Sequence, residues 1–187
     1  TARKEEVKTS IQSQDKLTDE LSAAIDAAAT LAEVEDLYRP YKPKRRTRAT
    51  IAREKGLEPL AALLFARGPA IVPEEAAAPF ADPDKGVETV EDALQGASDI
   101  IAERLSDDAD IRKELRALYL RRAVLVSQAA AREPEDTVYR LYYDFKCPVN
   151  RIQGYQVLAI NRGEREDVLK VAVELDPETA HVAVRRL

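Results

Sequence analysis

The residues most suited to chemistry lie in one basic segment near the start of the chain. Between Arg39 and Lys55 there are eight Lys or Arg residues and a single acidic one, Glu54. Lysines and arginines on a proline-stiffened loop beside tyrosines can hold a phosphate backbone without choosing a base. The predicted nucleic-acid-binding residues are Arg39, Tyr41, Lys42, Lys44, Arg45, Arg46 and Arg48.

A purely structural interpretation of the same segment stays open. Acidic residues precede it, among them Glu33, Glu35 and Asp36, and the basic side chains could pair with them in a solvated loop. Each exposed pair of that kind is worth less than about 1 kcal/mol. The prolines favour the binding interpretation, because a rigid loop loses less entropy when it binds.

No pattern in the chain is typical of a catalytic or metal centre. His181 is the sole histidine and Cys147 the sole cysteine, which excludes histidine-rich and four-thiolate metal sites. Neither residue lies beside a serine or cysteine motif that would complete a nucleophilic triad. Acidic pairs such as Asp107-Asp108 are typical of helix starts. We therefore expect no enzyme activity, no metal and no cofactor.

Composition favours long helices, and the single cysteine is compatible with a reducing compartment. The chain has 187 residues, 34% of them charged and 5% aromatic, and a net charge of −5. One cysteine permits no intrachain disulfide, and no apolar run approaches the roughly 20 residues of a membrane span. We expect a cytoplasmic protein without a membrane partner. Because the chain starts at Thr1 and contains no methionine, we interpret it as a fragment of a longer protein.

The elements that hold the basic segment are two helical stretches. Thr30 followed by Glu33 predicts a capped helix, which Pro40 and Pro43 should end. After the segment, a helix–glycine–helix pattern turns at Gly56. It partly resembles a DNA-binding helix-turn-helix, although its lysine at position 55 and proline at position 59 fit a structural helical hairpin better.

The remaining periodicity predicts a helical core and a small β element. Apolar positions at helical spacing run from Val90 to Leu105 and from Ile111 to Val126, and the short turn between them predicts an antiparallel hairpin. Tyr139, Tyr142, Tyr143 and Phe145 should form an aromatic cluster on a short helix. Alternation at Val168–Val173 and a strand-like run at Ala180–Val184 allow a C-terminal β-hairpin. The predicted fold is mainly all-α, an elongated multi-helix module.

This pattern gives a provisional division of the chain. Residues 1–68 form an N-terminal helical part with the basic loop, and residues 69–86 a linker or short helices. Residues 87–167 form the helical core, and residues 168–187 begin a following element.

Three motifs resemble the bacterial Tex family of transcription accessory proteins. They read EDLYRPYKPKRRTRATIAREKGLEPLA from residue 35, RLYYDF from residue 140 and VLAINRGEREDVLKV from residue 157. The resemblance implies the N-terminal helical region, which precedes a ribonuclease-H-like domain, a helix-hairpin-helix domain and an RNA-binding barrel. Gly154-Tyr155 departs from the family, which often has Ser-His there.

From the residues and the resemblance together we expect a non-catalytic scaffold in transcription or RNA metabolism. Most contact with RNA or DNA would come from domains outside this chain, with the basic segment as a sequence-independent addition, and the transcription machinery is a further candidate partner. The alternative is a protein–protein or intramolecular docking module that binds no nucleic acid itself.

Overall fold

The computed structural model describes residues 2–43, 45–66, 71–131 and 137–186. Helices dominate these residues, which confirms the mainly all-α prediction. The helices are α1 (Ala2–Gln12), α2 (Asp19–Ala27), α3 (Leu31–Tyr38), α4 (Arg48–Glu54), α5 (Glu58–Phe65), α6 (Pro73–Ala77), α7 (Val90–Asp107), α8 (Ala109–Arg122), α9 (Gly154–Arg165) and α10 (Pro177–Arg185). The strands are β1 (Val124–Ala129), β2 (Asp144–Pro148) and β3 (Leu169–Glu174). The chain divides into a first unit, Thr1–Arg112, and a second unit, Lys113–Leu187.

The first three helices share one apolar cluster. Its buried members are Val7, Ile11, Ile25, Val34 and Tyr38. As predicted, α3 starts with a capping box, in which Thr30 Oγ1 accepts the Glu33 backbone N–H and the Glu33 carboxylate accepts the Thr30 N–H. The Tyr38 hydroxyl shares a 2.8 Å hydrogen bond with Ser10 Oγ. The end of α3 is therefore fixed where the basic segment begins.

A second cluster in the first unit joins α4, α5 and α6 to the long helix α7. The predicted helix–glycine–helix is present, with Gly56 at a φ of 82° between α4 and α5. That left-handed conformation is open to glycine because it lacks a Cβ. At Gly96, α7 packs directly against Leu57 and against Ala52 of α4. A Cβ on Gly96 would collide with Leu57 and crowd Ala52. Small residues on α4 and α7 thus permit tight packing.

The packing of α7 differs from the predicted hairpin. Two consecutive helices are present, and Asp108 caps the second by accepting the backbone N–H groups of Asp110 and Ile111. However, α4, α5 and α6 cover the apolar face of α7, and among the described residues the buried cluster there includes none from α8. Periodicity shows which face is apolar, but it does not show which helix covers that face.

The second unit contains a three-stranded antiparallel sheet in the order β2-β1-β3. At its centre, Ser127 of β1 lies opposite Phe145 of β2 and Val171 of β3. The predicted aromatic cluster is confirmed, since the rings of Tyr142 and Phe145 meet edge to face at 5.3 Å. The short helix predicted to carry it is instead a 3-10 turn, Arg140–Tyr142, followed by β2. This cluster packs with Ile160 of α9.

The small C-terminal β element is present, but its strands differ in part from those predicted. β3 matches the alternating stretch, whereas the expected return strand at 180–184 belongs to α10. Asp176 caps this helix by accepting the Thr179 N–H, and Pro177 occupies its first turn. The predicted helix end at Val126 is β1 instead, where β-branched side chains suit a strand.

The stretch predicted as a linker or short helices contributes to the apolar cluster around α7. From residue 71 it forms α6 and two 3-10 turns, Ala78–Phe80 and Pro83–Lys85, and Ala77 is fully buried. Its first part, at residues 69 and 70, lies outside the described residues.

Candidate nucleic-acid interface

The first part of the basic segment, residues 39–47, is a loop between α3 and α4, where the prolines predict a break, and the rest lies in α4 and just after it. Helix α3 ends at Tyr38, and Arg39–Tyr41 form one 3-10 turn that contains Pro40. At the other end, Thr47 caps α4 by accepting the Thr50 backbone N–H at 3.1 Å. The predicted loop is therefore a short surface connection between two helix ends.

Two carboxylates of α7 hold the two ends of this loop. Asp107 Oδ1 accepts a hydrogen bond from Arg39 Nε at 3.0 Å, and Glu103 Oε1 accepts one from the Thr47 hydroxyl at 2.9 Å. Arg53 Nη1 also donates to Glu103 at 2.7 Å, which raises the pKa of this guanidinium. The two carboxylates lie four residues apart and so share one face of α7. This face fixes both ends of the loop.

An ion pair between a buried carboxylate and a partly exposed arginine anchors α3 just before the loop. The Asp36 side chain is 6% exposed and accepts a hydrogen bond from Arg112 Nε at 2.6 Å. A buried carboxylate is unfavourable unless it is paired. Asp36 and Arg39 are three residues apart, so neighbouring ion pairs hold the same helix end.

The outer cations of the loop have weaker or no partners. Arg46 pairs with Glu54 and Arg48 lies 3.7 Å from Asp99, but the two arginine side chains are 67% and 84% exposed. Lys42 and Arg45 are exposed and form no ion pair with any residue that the structure describes. Four of the predicted binding cations thus face solvent.

Two other predicted residues have different positions. The Tyr41 ring is half buried against the α1–α3 cluster, and the Tyr41 carbonyl accepts a hydrogen bond from Gln14 Nε2 at 2.8 Å. Only part of that ring remains for base stacking. Lys44 lies outside the described residues.

A groove beside the loop has no counterpart in the sequence prediction. It holds about 530 Å³ and is lined by Lys42 from the loop, by α5 and by the C-terminal half of α7. The guanidinium of Arg104 lies 4.3 Å from the centre of the Phe65 ring at its edge. Because its walls come from distant parts of the chain, no local sequence signal could have predicted it.

The histidine and the cysteine do not assemble a site. His181 lies on α10 with a 64% exposed side chain, 3.9 Å from Glu178. The Cys147 thiol is half buried and donates to the Pro148 carbonyl at 3.6 Å. Among residues 2–43, 45–66, 71–131 and 137–186, no group of three His, Cys, Asp or Glu side chains could hold a metal ion. None of the helices in these ranges is long and apolar enough to span a bilayer.

Comparison with known proteins decides the family. The family description "Tex central region-like" matches residues 68–186. The chain belongs to the Tex family. Two of the three motifs, those from residues 140 and 157, lie inside this range, and the resemblance to the Tex family is confirmed.

Tex relatives occur among bacteria and beyond. The chain is 44% identical over 187 residues to protein YdcI of Bacillus subtilis (strain 168), covering 96% of this chain and 25% of that protein. It is 39% identical to the transcriptional accessory protein Tex of Neisseria gonorrhoeae, covering 94% and 23%. Human S1 RNA-binding domain-containing protein 1 is 33% identical, covering 88% and 17%. This Tex chain thus spans about a quarter of its bacterial relatives.

Proposed function

We propose that this chain is a non-catalytic helical module of a Tex transcription accessory protein. It scaffolds nucleic-acid-binding domains elsewhere in the polypeptide and adds a sequence-independent contact with RNA or DNA. The proposed setting is transcription or RNA metabolism in the cytoplasm, with the transcription machinery as a further partner.

The observation that carries the nucleic-acid contact is the division of the cations into two groups. Arg39 and Arg53 pair with carboxylates of α7 whose side chains are 13% and 16% exposed, so they hold the loop in place. The outer group faces solvent and consists of Lys42, Arg45, Arg46 and Arg48. We assign phosphate binding to the outer group alone.

The exposed pairs of the outer group present little obstacle to a phosphate. An exposed ion pair is worth about 0 to 1 kcal/mol, so Glu54 and Asp99 release Arg46 and Arg48 at small cost. Each cation that replaces a condensed counterion on nucleic acid adds to affinity at low salt. Since the loop is already fixed at both ends, little further ordering is needed.

Docking on an acidic protein surface is the second candidate function. The net charge of −5 favours it, because the chain as a whole repels nucleic acid at long range. In that case the same outer cations would pair with carboxylates of the remaining Tex polypeptide or of another protein.

The deciding experiment is a charge reversal at the two unpaired cations. We expect the double variant Lys42→Glu, Arg45→Glu to lose at least about tenfold in affinity for RNA and DNA at low salt. Fluorescence anisotropy with labelled single- and double-stranded oligonucleotides, at two salt concentrations, measures this loss. The matched control is Lys16→Glu, Arg151→Glu, which makes the same change in net charge at two exposed positions outside the basic segment.

If both double variants lose the same affinity, net charge alone explains the loss, and a local binding site is refuted. Absence of salt dependence would also refute it. Binding to the rest of a Tex polypeptide without binding to any oligonucleotide would favour the docking function instead.

A further inference from the structure

Helix α9 has one face fixed in the second unit. Ile160 is 0% exposed in the aromatic cluster. At Gly163 a Cβ would stand 2.7 Å from Leu169 Cδ1 and 3.1 Å from Tyr139 Cδ1. This close approach fixes the rotation of the helix, so its opposite face must point outward.

The outward face repeats at three- and four-residue spacing. It carries Tyr155, Leu158, Arg162 and Arg165. Their spacing is that of the a and d positions in helices that pack on a partner. Tyr155 and Leu158 are 68% and 73% exposed, and the Arg162 side chain is 74% exposed. Tyrosine and arginine are enriched at the energetic centres of protein interfaces.

Tyr139 helps to hold α9 in this rotation. Its ring lies beside Gly163, and its hydroxyl donates a 2.8 Å hydrogen bond to Glu166, just after α9.

We propose that the outward face of α9, consisting of Tyr155, Leu158, Arg162 and Arg165, docks another part of the same Tex polypeptide. The chain covers 25% of its YdcI relative, so most of such a polypeptide is available to cover the surface. Residues 68–186 match a region described as central, which implies neighbouring regions in the family's chains. The proposal rests on the scaffolding part of the proposed function and not on the basic loop.

Charge defines the chemistry of the partner surface. Arg165 is exposed on the same face and forms no ion pair with the residues that the structure covers. Arg162 pairs with Glu166, but its side chain remains 74% exposed. Complementarity then requires an apolar groove with carboxylates along its rim. The occupant is thus an acidic, partly apolar segment of the remaining polypeptide.

Side-chain footprinting tests the docking directly. The two samples are this chain alone and full-length YdcI of Bacillus subtilis in which this chain replaces the matching quarter. Hydroxyl-radical labelling, read by mass spectrometry, reports the solvent exposure of each side chain. We expect Tyr155 and Leu158 to be labelled at least about fivefold more slowly in the full-length chimera, because the centre of an interface is fully desolvated. Leu31, 63% exposed in the first unit, is the internal reference.

Unchanged labelling of Tyr155 and Leu158 relative to Leu31 in the chimera would overturn the proposal. Protection that rises with the concentration of the isolated chain would assign the surface to a second copy. Protection that needs added RNA would assign it to nucleic acid. A second measurement uses Leu158→Ser, which should lower the melting temperature of the chimera but leave that of the isolated chain almost unchanged. None of these results depends on the salt response of the basic loop, so the two proposals fail separately.

Discussion

Asp36 is a buried carboxylate that pairs with Arg112. Replacing it with asparagine leaves Arg112 without its buried carboxylate, and we expect a loss of about 3 kcal/mol in the free energy of unfolding. Urea denaturation at pH 7 measures this loss. Glu35→Gln is the matched control, since Glu35 pairs with Arg3 through side chains that are 36% and 39% exposed. We expect less than about 1 kcal/mol there. Equal losses would show that burial of the pair is irrelevant.

Ser127 presents the opposite case of a buried polar group. Its side chain is fully buried in the central strand, and its hydroxyl has no hydrogen-bond partner among the described residues. An unsatisfied buried hydroxyl costs about 1 to 3 kcal/mol, whereas the methyl group of alanine needs no partner. Ser127→Ala should therefore raise the unfolding free energy by about 1 kcal/mol. A lower denaturation midpoint in urea would contradict this.

Gly96 sets the distance between α4 and α7. Alanine is preferred over glycine inside a helix by about 1 kcal/mol, so propensity alone predicts that Gly96→Ala stabilises the protein. The collision with Leu57 opposes this, and overpacking of a core typically costs about 1 to 3 kcal/mol. We expect a net loss of stability in thermal denaturation. Gly154→Ala is the control, because a Cβ added there would meet no atom of the described residues within 4 Å, and α9 should gain stability or stay unchanged.

Acidic pH should weaken the contact between α9 and the aromatic cluster. The hydrogen bond from Arg162 and then that from Tyr139 lower the pKa of Glu166. A carboxylate whose pKa is lower in the folded state adds stability above its unfolded value of about 4.3 and loses it as the pH falls through the folded value. We expect Glu166→Gln to be less stable than the wild type at pH 7. The difference should shrink below about pH 4. Urea denaturation at several pH values checks this, and a constant difference would refute it.

Local signals explain which elements were predictable. The capping box at Thr30 and the break at Pro40 act within a few residues, and both appear where the sequence places them. Asp176-Pro177 is also a local signal: it lies between the two stretches predicted as a β-hairpin, where it indicates a turn, but the same pair starts α10. Short patterns thus locate the start or end of an element better than they identify the type of the next one.

Contacts between distant residues explain what the sequence could not show. Arg39 and Asp107 are 68 residues apart, and no spacing rule links them. The prediction that the basic segment is a single patch therefore could not separate the cations held by α7 from those that face solvent. It also could not identify the exposed face of α9, because Tyr155 and Leu158 have the spacing of core residues.

Charge is the property of the whole molecule that limits nucleic-acid binding. The chain carries 34 acidic and 29 basic residues, so any nucleic acid is repelled at long range and attracted only at the loop. We therefore expect binding to be weak at moderate salt, with a salt dependence set by a few cations rather than by the total charge.

The salt dependence can count those cations. For single strands the slope of log affinity against log salt changes by about 0.7 for each phosphate contact that is lost. We expect Lys42→Ala, Arg45→Ala to reduce the slope by about 1.4. Arg53→Ala should leave it almost unchanged, because this guanidinium is occupied by Glu58 and Glu103. Titrations of labelled single-stranded RNA at a series of salt concentrations give the slope. A reduction of about 0.7 in Arg53→Ala would mean that the carboxylates do not withhold the inner cations, and the division of the basic segment into two groups would have to be abandoned.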